Sequence, residues 1–393
     1  MKNLTTLNCG YVPLVDSAPL VLAREMNFAA EEGINLQLLR QPSWSALRDL
    51  LALGHLDAAH ILSPLPIAMS LGLGGLPAQV DALMVLSVNG NAIGVSTELA
   101  DKMRAAGWSG RFTAPEETGR ALIEAAGSPL RVGVPFPFSM HVELLHYWLG
   151  ALGVDTDRCL DVRIVPPPLM AETLADGEID AFCVGEPWGS MAVEAQAGEL
   201  ILPGASIWSF APEKVLGVRH EWAEANPELT AALMRAVYRA SHWLGQEGNL
   251  PLASEVLARS EHLDLPATVI DRALAGQIIT RPRALGVHVP QFLCLHRGAT
   301  NFPWRSQAAW IANGIARRHG LDPAAAIRRA KACFRADLYR ANLSPIGADM
   351  PGASEKLEGA MQSPEAVSST RGEMILGPDA FFDGQIFDPS AVS

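Results

Sequence analysis

Six residues of one short stretch recur, in type or in role, at a constant offset. Adding 123 to Gly54, Leu56, Asp57, Ala58, Ser63 and Pro64 gives Gly177, Ile179, Asp180, Ala181, Glu186 and Pro187. Both stretches read as a helix stopped by glycine, a short apolar strand and a helix opened by proline. Glycine supplies the left-handed residue that ends a helix, and proline at a first helical position needs no backbone donor. The apolar run between them suits a buried parallel strand. The same offset carries Gly10 to Gly133, and with a one-residue slip Val12-Pro13 matches Val134-Pro135, so the repeat reaches back to an opening strand. Chance recurrence of strand and helix punctuation is the bland alternative. The repeat predicts an α/β chain of two lobes built alike.

At 393 residues the chain is too long for one ordinary core. A hydrophobic fraction of 49% with 18% charged residues describes a well-packed globular protein. The formal net charge of -12 argues against direct nucleic-acid binding, which calls for a basic face; any bound anion must be held by local donors. Cys9, Cys159, Cys183, Cys294 and Cys333 are odd in number and widely spaced. They read as reduced thiols, with neither a disulfide framework nor zinc spacing. The opening Met1 to Asn8 passes straight into the first strand without an apolar export segment. The greasiest stretch, 61–76, is cut by Pro64, Pro66, Gly72, Gly74 and Gly75 and cannot span a bilayer as one helix. The expectation is a cytoplasmic protein with no membrane segment, unless a signal has been trimmed away.

In chain order, strands are expected at 4–12, 34–39 and 57–62, with helices from the first turn after Asp16 or Ser17, as cap, to about 32 and from 44 to 53. Residues 83–96 read as one extended segment with Asn89-Gly90-Asn91 in the middle, able to cross between lobes. The second lobe alternates strands at 130–135, 162–165 and 180–184 with helices at 140–152, 169–175 and 187–195. A return strand at 215–219 follows, and from 265 the chain is helical and loop-rich. The expected division is 1–92 with 211–349 as lobe one, 93–210 as lobe two, and 350–393 as a tail packed on the surface or partly disordered. Phe381, Phe382 and Phe387 in that tail require a dock.

Like lobes joined by crossing strands close about a hinge and trap a ligand between them. The cleft is then lined by strand ends and helix starts at 13–17, 41–45, 60–63, 136–141 and 185–188. Helix N-termini carry free amides and a partial positive charge, which favours a small anion. Ser139 precedes the helix whose first turn holds His141. An imidazole there can bind an oxyanion; a buried structural histidine is the rival reading. His141 and His146 lie roughly 140° apart around a helix and so do not make a metal-binding pair. Glu186 and Trp188 open a helix at the cleft mouth, though the carboxylate also suits the helix dipole and the indole also suits a core. Trp44 offers an N–H and a flat wall to a planar anion, or packs in the core. Lys214 offers a full positive charge near the hinge, or is a solvated surface lysine. No Gly-x-Ser-x-Gly elbow, Walker loop, His-Glu-x-x-His or GxGxxG is present. No catalytic residue, metal or cofactor is expected, and the paired lobes point to binding.

Gly10-Tyr11-Val12-Pro13-Leu14-Val15-Asp16-Ser17-Ala18-Pro19-Leu20, Ser43-Trp44, Gly185-Glu186-Pro187-Trp188, Pro212-Glu213-Lys214 and Phe302-Pro303-Trp304-Arg305 resemble the nitrate- and bicarbonate-binding proteins of ABC transporters. The resemblance covers residues 4–343, and Phe381-Phe382-Asp383-Gly384 is similar to that family's C-terminal segment. It implies a two-lobed periplasmic-binding-protein-like fold of type II. Transport members are exported; without an export signal this sequence is more similar to the cytoplasmic sensor branch, the NasS-type nitrate/nitrite sensors. That branch implies sequestration of an RNA-binding antiterminator in the ligand-free state and its release when nitrate or nitrite binds. The alternatives are a solute-binding receptor of a nitrate/bicarbonate-type transporter and a small-heterocycle enzyme on the same fold. By similarity His141 takes the place of a polar ligand residue, and Glu186 and Trp188 match the cleft motif, with Ser63-Pro64 across from them. Where transport members often carry an aromatic residue, near the end of the third strand, this chain has His60 as a candidate donor. The expected ligand contacts are Trp44, His60, Ser63, Ser139, His141, Glu186, Trp188 and Lys214.

Overall fold

The computed structural model describes residues 4–76 and 78–391; the first three residues of the opening segment lie outside the described residues. Two sheets organise the chain. The first takes β1 (Thr5–Tyr11), β2 (Ile34–Arg40), β3 (Ala58–Leu62) and β4 (Val80–Asn89). The second is built wholly from β5 (Asn91–Ser96), β6 (Leu130–Val134), β7 (Leu160–Ile164), β8 (Ala181–Gly185) and β9 (Gly198–Pro203). The chain then returns to the first sheet through β10 (Pro212–Arg219). After a small pair, β11 (Gln277–Ile278) with β12 (Val287–His288), it adds an edge strand, β13 (Leu293–Cys294). The strand orders are β13-β4-β10-β3-β1-β2 and β7-β6-β8-β5-β9.

The sequence repeat is a repeat of register. Cys9 pairs with Ala58 and Gly10 with Ala59; 123 residues on, Val132 pairs with Ala181 and Gly133 with Phe182. The repeated glycines are small for one reason. A Cβ on Gly10 would stand 2.5 Å from Leu56, and one on Gly133 would stand 2.7 Å from Ile179, its counterpart. The repeated aspartates are fasteners. Asp57 accepts the backbone N–H of Asn8 at 2.8 Å, and Asp180 accepts that of Arg131 at 3.1 Å. Each holds the opening strand of its lobe to the turn before the third strand.

The extended segment expected over 83–96 is two strands in two sheets. It breaks at Asn89 and Gly90, with φ of 61° and 94°, so the lobes part at residue 90, slightly before the expected 92. Such positive φ favours glycine and is tolerated by asparagine. The second crossing runs through 204–211, between β9 and β10. β9 is an addition to the expected elements; all six of its residues are buried, and periodicity cannot identify so short an apolar run.

Beyond residue 350 the chain forms a hairpin, β14 (Glu365–Ser369) with β15 (Gly372–Leu376), and then docks over the second crossing. Phe381 stacks on Trp208 and Trp310, with ring centroids 4.9 and 5.6 Å away, and meets Tyr147 at 5.0 Å. The Phe382 N–H donates to the Ile207 carbonyl and the Ser209 N–H to the Ala380 carbonyl, both at 3.0 Å. Phe381, 3% exposed, belongs to the core. Among the described residues no helix is long and apolar enough to cross a membrane.

Candidate functional site

Consecutive residues of a strand ordinarily point to opposite faces. In β10 the register shifts between Pro212 and Lys214 and again between Lys214 and Val215, and such irregularity re-aims side chains. Glu213 and Lys214 therefore share one buried cluster. Lys214 Nζ lies 2.8 Å from Glu213 Oε1 and 2.9 Å from Asp16 Oδ2. Asp16 Oδ1 is 2.9 Å from His60 Nε2. From the second lobe, Asn91 donates its amide to Glu213 Oε2 at 2.9 Å, and His141 Nε2 approaches Glu213 Oε1 at 3.5 Å. The Lys214 ammonium stands 5.4 Å from the centre of the Trp44 ring, whose centroid is 5.7 Å from that of His60. None of these side chains is more than 3% exposed.

Burial works against charge throughout, and partners decide the outcome. At Asp16 the burial penalty is outweighed by Lys214 and His60, which hold the carboxyl well below the usual carboxylate range. At Glu213 burial prevails over Lys214 and the pKa is raised. Burial penalises the Lys214 ammonium, but Asp16 and Glu213 more than compensate and keep it protonated. Burial lowers His60 despite Asp16, and it lowers His141 well below the imidazole range with further help from Lys214. The cluster thus holds one firm cation beside neutral imidazoles. Trp44 Nε1, His60 Nδ1 and both ring nitrogens of His141 are buried without a hydrogen-bond partner. An unsatisfied buried polar group costs about 1–3 kcal/mol. A neutral imidazole carries one N–H, which His60 spends on Asp16, so the free donors for a small planar oxyanion are the Trp44 indole and one N–H of His141.

Trp44, His60, His141 and Lys214 thus come together, and the other expected contacts are engaged elsewhere. The Ser63 hydroxyl donates to the Pro212 carbonyl at 2.6 Å, and that of Ser139 donates to the Phe136 carbonyl at 2.7 Å while capping its helix at Val142 N–H. Each hydroxyl has its single proton committed to the backbone. Glu186 folds back on the Ser190 N–H at 3.2 Å. The Trp188 indole donates to the Pro13 carbonyl at 2.9 Å, and the Val15 N–H donates to the Glu186 carbonyl, also at 2.9 Å. Glu186 and Trp188 accordingly form a latch between lobes, beside the cluster and outside it. Asp16, expected as a helix cap, makes no capping bond and is an ion-pair partner instead. Asp16, Glu213 and Asn91 are the members that sequence reasoning did not single out. Open grooves lie elsewhere: one of about 510 Å³ lined by Leu244, Asp271, His288 and His296 and one of about 450 Å³ lined by Glu143, Tyr147, Trp310, Arg318 and Phe387 share no residue with the cluster.

Burial pushes the Glu186 carboxyl up to about 7 from an ordinary 4.5. In that interval the folded state keeps a proton that the unfolded state releases, so stability falls as pH rises from 4.5 through 7. Glu186→Gln, which cannot ionise, is expected to remove this component. The variant should be more stable than the parent at pH 8 by on the order of 3 kcal/mol, with little difference at pH 4.5. Urea unfolding of both proteins across this range measures it; parallel pH profiles would refute the assignment.

Residues 1–258 match the NMT1-like family. The chain is 30% identical over 393 residues to the nitrate/nitrite binding protein NrtA of Synechococcus elongatus, covering 97% of this chain and 83% of that protein. It is 33% identical over 313 residues to the nitrate import ATP-binding protein NrtC of Synechocystis sp. PCC 6803; there it spans 79% of its own length but only 46% of the relative's. The crystal structure of the periplasmic nitrate-binding protein NrtA from Synechocystis PCC 6803 superposes with a TM-score of 0.83 at 26% identity, covering 98% of this chain and 96% of that one. The fold is the two-lobed α/β periplasmic-binding-protein-like fold.

Proposed function

The chain belongs to the NMT1-like family, and on that footing we propose that it is a non-catalytic binding protein for nitrate or nitrite. The observation that carries this reading is the buried cluster in which the Lys214 ammonium sits beside Trp44, His60 and His141 nitrogens that lack protein partners. Burying an anion without donors is prohibitive; here Lys214 supplies charge while Trp44 and His141 supply N–H groups. Relatives that cover nearly the whole chain are named for nitrate and nitrite. Calorimetric titration with nitrate, nitrite and bicarbonate is expected to give saturable heat with nitrate or nitrite. No saturable binding of any of the three would overturn the reading.

The finer reading is a cytoplasmic sensor that sequesters an RNA-binding antiterminator when ligand-free and releases it when the anion binds. Release follows by linkage: a partner that prefers the open form loses affinity on closure, and a coupling of about 1–3 kcal/mol changes that affinity roughly 5- to 150-fold. A transport receptor is the second reading, favoured by the coverage of a structure described as periplasmic. Pull-downs from cells grown with and without nitrate separate the two. Capture of an RNA-binding protein only in the absence of nitrate supports the sensor; recovery of the native protein from the periplasm supports the receptor.

A further inference from the structure

The cluster is short of positive charge for an anion site. A single ammonium, Lys214, faces two carboxylates, Asp16 at 2.9 Å and Glu213 at 2.8 Å. The remaining titratable groups facing Glu213 add no positive charge. His141 stands 3.5 Å away with both ring nitrogens unpartnered. His60 bonds Asp16, and the buried thiol of Cys183 is pushed up by burial and by Glu213 itself. Asn91, from the second lobe, is uncharged. With both carboxylates ionised the group carries one net negative charge before any ligand enters. A second negative charge in a region closed to water is strongly disfavoured.

We infer that Glu213 is the proton-accepting residue of this site, so that nitrate or nitrite enters together with about one proton per anion. The inference rests on the reading of the protein as an anion receptor. The geometry selects Glu213 over Asp16. Asp16 has one oxygen on His60 and the other on Lys214, whereas Glu213 has the uncharged Asn91 amide on Oε2, and its Oε1 is shared between Lys214 and the longer approach of His141. Burial also raises the Glu213 carboxyl while Asp16 is held low. A carboxylate presents only acceptors to an anion; once protonated it gains an O–H that donates. The proton comes from water or buffer acid and returns there when the anion leaves.

The consequence is that affinity falls as pH rises, approaching about tenfold per pH unit once Glu213 of the free protein is ionised. Titration of nitrate into the full chain at pH 8, in PIPES and in Tris, reads the proton directly from the dependence of the heat on buffer ionisation. Uptake near one proton is expected for the parent and for Glu186→Gln, which excludes the buried carboxyl of the adjoining latch. Uptake near zero, with weak pH dependence, is expected for Glu213→Gln. Nitrate binding by the parent with no buffer dependence overturns the inference while leaving the receptor reading intact. Loss of uptake in Glu186→Gln moves the proton to that residue and likewise overturns it. Absence of binding in every buffer defeats the receptor reading itself.

Discussion

Lys214→Met is expected to abolish measurable nitrate binding and to lower stability by about 3–5 kcal/mol, the usual cost of removing one partner from a buried ion pair. Both effects come from one atom. The Lys214 ammonium is the only cation among the seven clustered side chains, and it neutralises carboxylates on two segments, Asp16 after β1 and Glu213 on β10. Without it two buried carboxylates lose their common counter-charge. The effects can be separated. Adding Asp16→Asn and Glu213→Gln to Lys214→Met should recover most of the stability, because uncharged groups of similar shape tolerate burial far better, yet leave nitrate unbound. Urea unfolding and calorimetry of the single and triple variants test this. Nitrate affinity within threefold of the parent in Lys214→Met would remove the cluster as the anion site.

Phe381→Ala should produce the second large effect, a loss of about 3–5 kcal/mol, although the residue lies near the end of the chain. Its ring packs on Trp208 of the hinge crossing and on Trp310 of the helix Arg305–His319, whose indoles also meet each other at 4.7 Å, and on the tilted ring of Tyr147 from the second lobe. Truncation leaves a cavity among three aromatic side chains and weakens the backbone pairing of 380–382 with 207–209. Phe382→Ala, at a partly exposed neighbour, is the control and should cost less. If Phe381→Ala unfolds in urea within about 1 kcal/mol of the parent, the C-terminal segment contributes nothing to the fold, and the docked arrangement is refuted.

The scaffold was readable because its punctuation is chemical. Gly54 and Gly177 stop helices at φ of 82° and 69°, and Asp57 and Asp180 each accept a backbone N–H from the opening strand. These demands recur wherever the same strand–helix unit is built, so they leave the same residues at the same spacing. The site was only half readable. Trp44 and His141 lie in the first turns of helices, and helix starts can be placed from caps and prolines. Asp16 occupies a position where a cap explains an aspartate fully, so its burial beside Lys214 leaves no separate trace. Glu213 is hidden by strand alternation, which sends it away from Lys214 until the irregular register of β10 is known. Ser63 and Ser139, whose hydroxyls bond backbone carbonyls, are ambiguous for the opposite reason: a serine at a helix start suits a ligand and a nearby carbonyl equally well. The hairpin Glu365–Leu376 eluded a compositional reading because glycine, serine and charge describe a short exposed ladder as well as a loop.

The place of β10 has a consequence for the growing chain. All five strands of the second sheet leave the ribosome before Pro212, whereas in the first sheet β3 and β4 have no common neighbour until β10 arrives between them. Lobe two can therefore fold while lobe one is still open, since domains generally fold as units during synthesis. The strand that fills the gap in lobe one is the strand that carries Lys214. A chain interrupted before residue 212 has neither a finished first lobe nor the charge that would hold an anion, so no nascent intermediate can trap ligand in a half-built cleft.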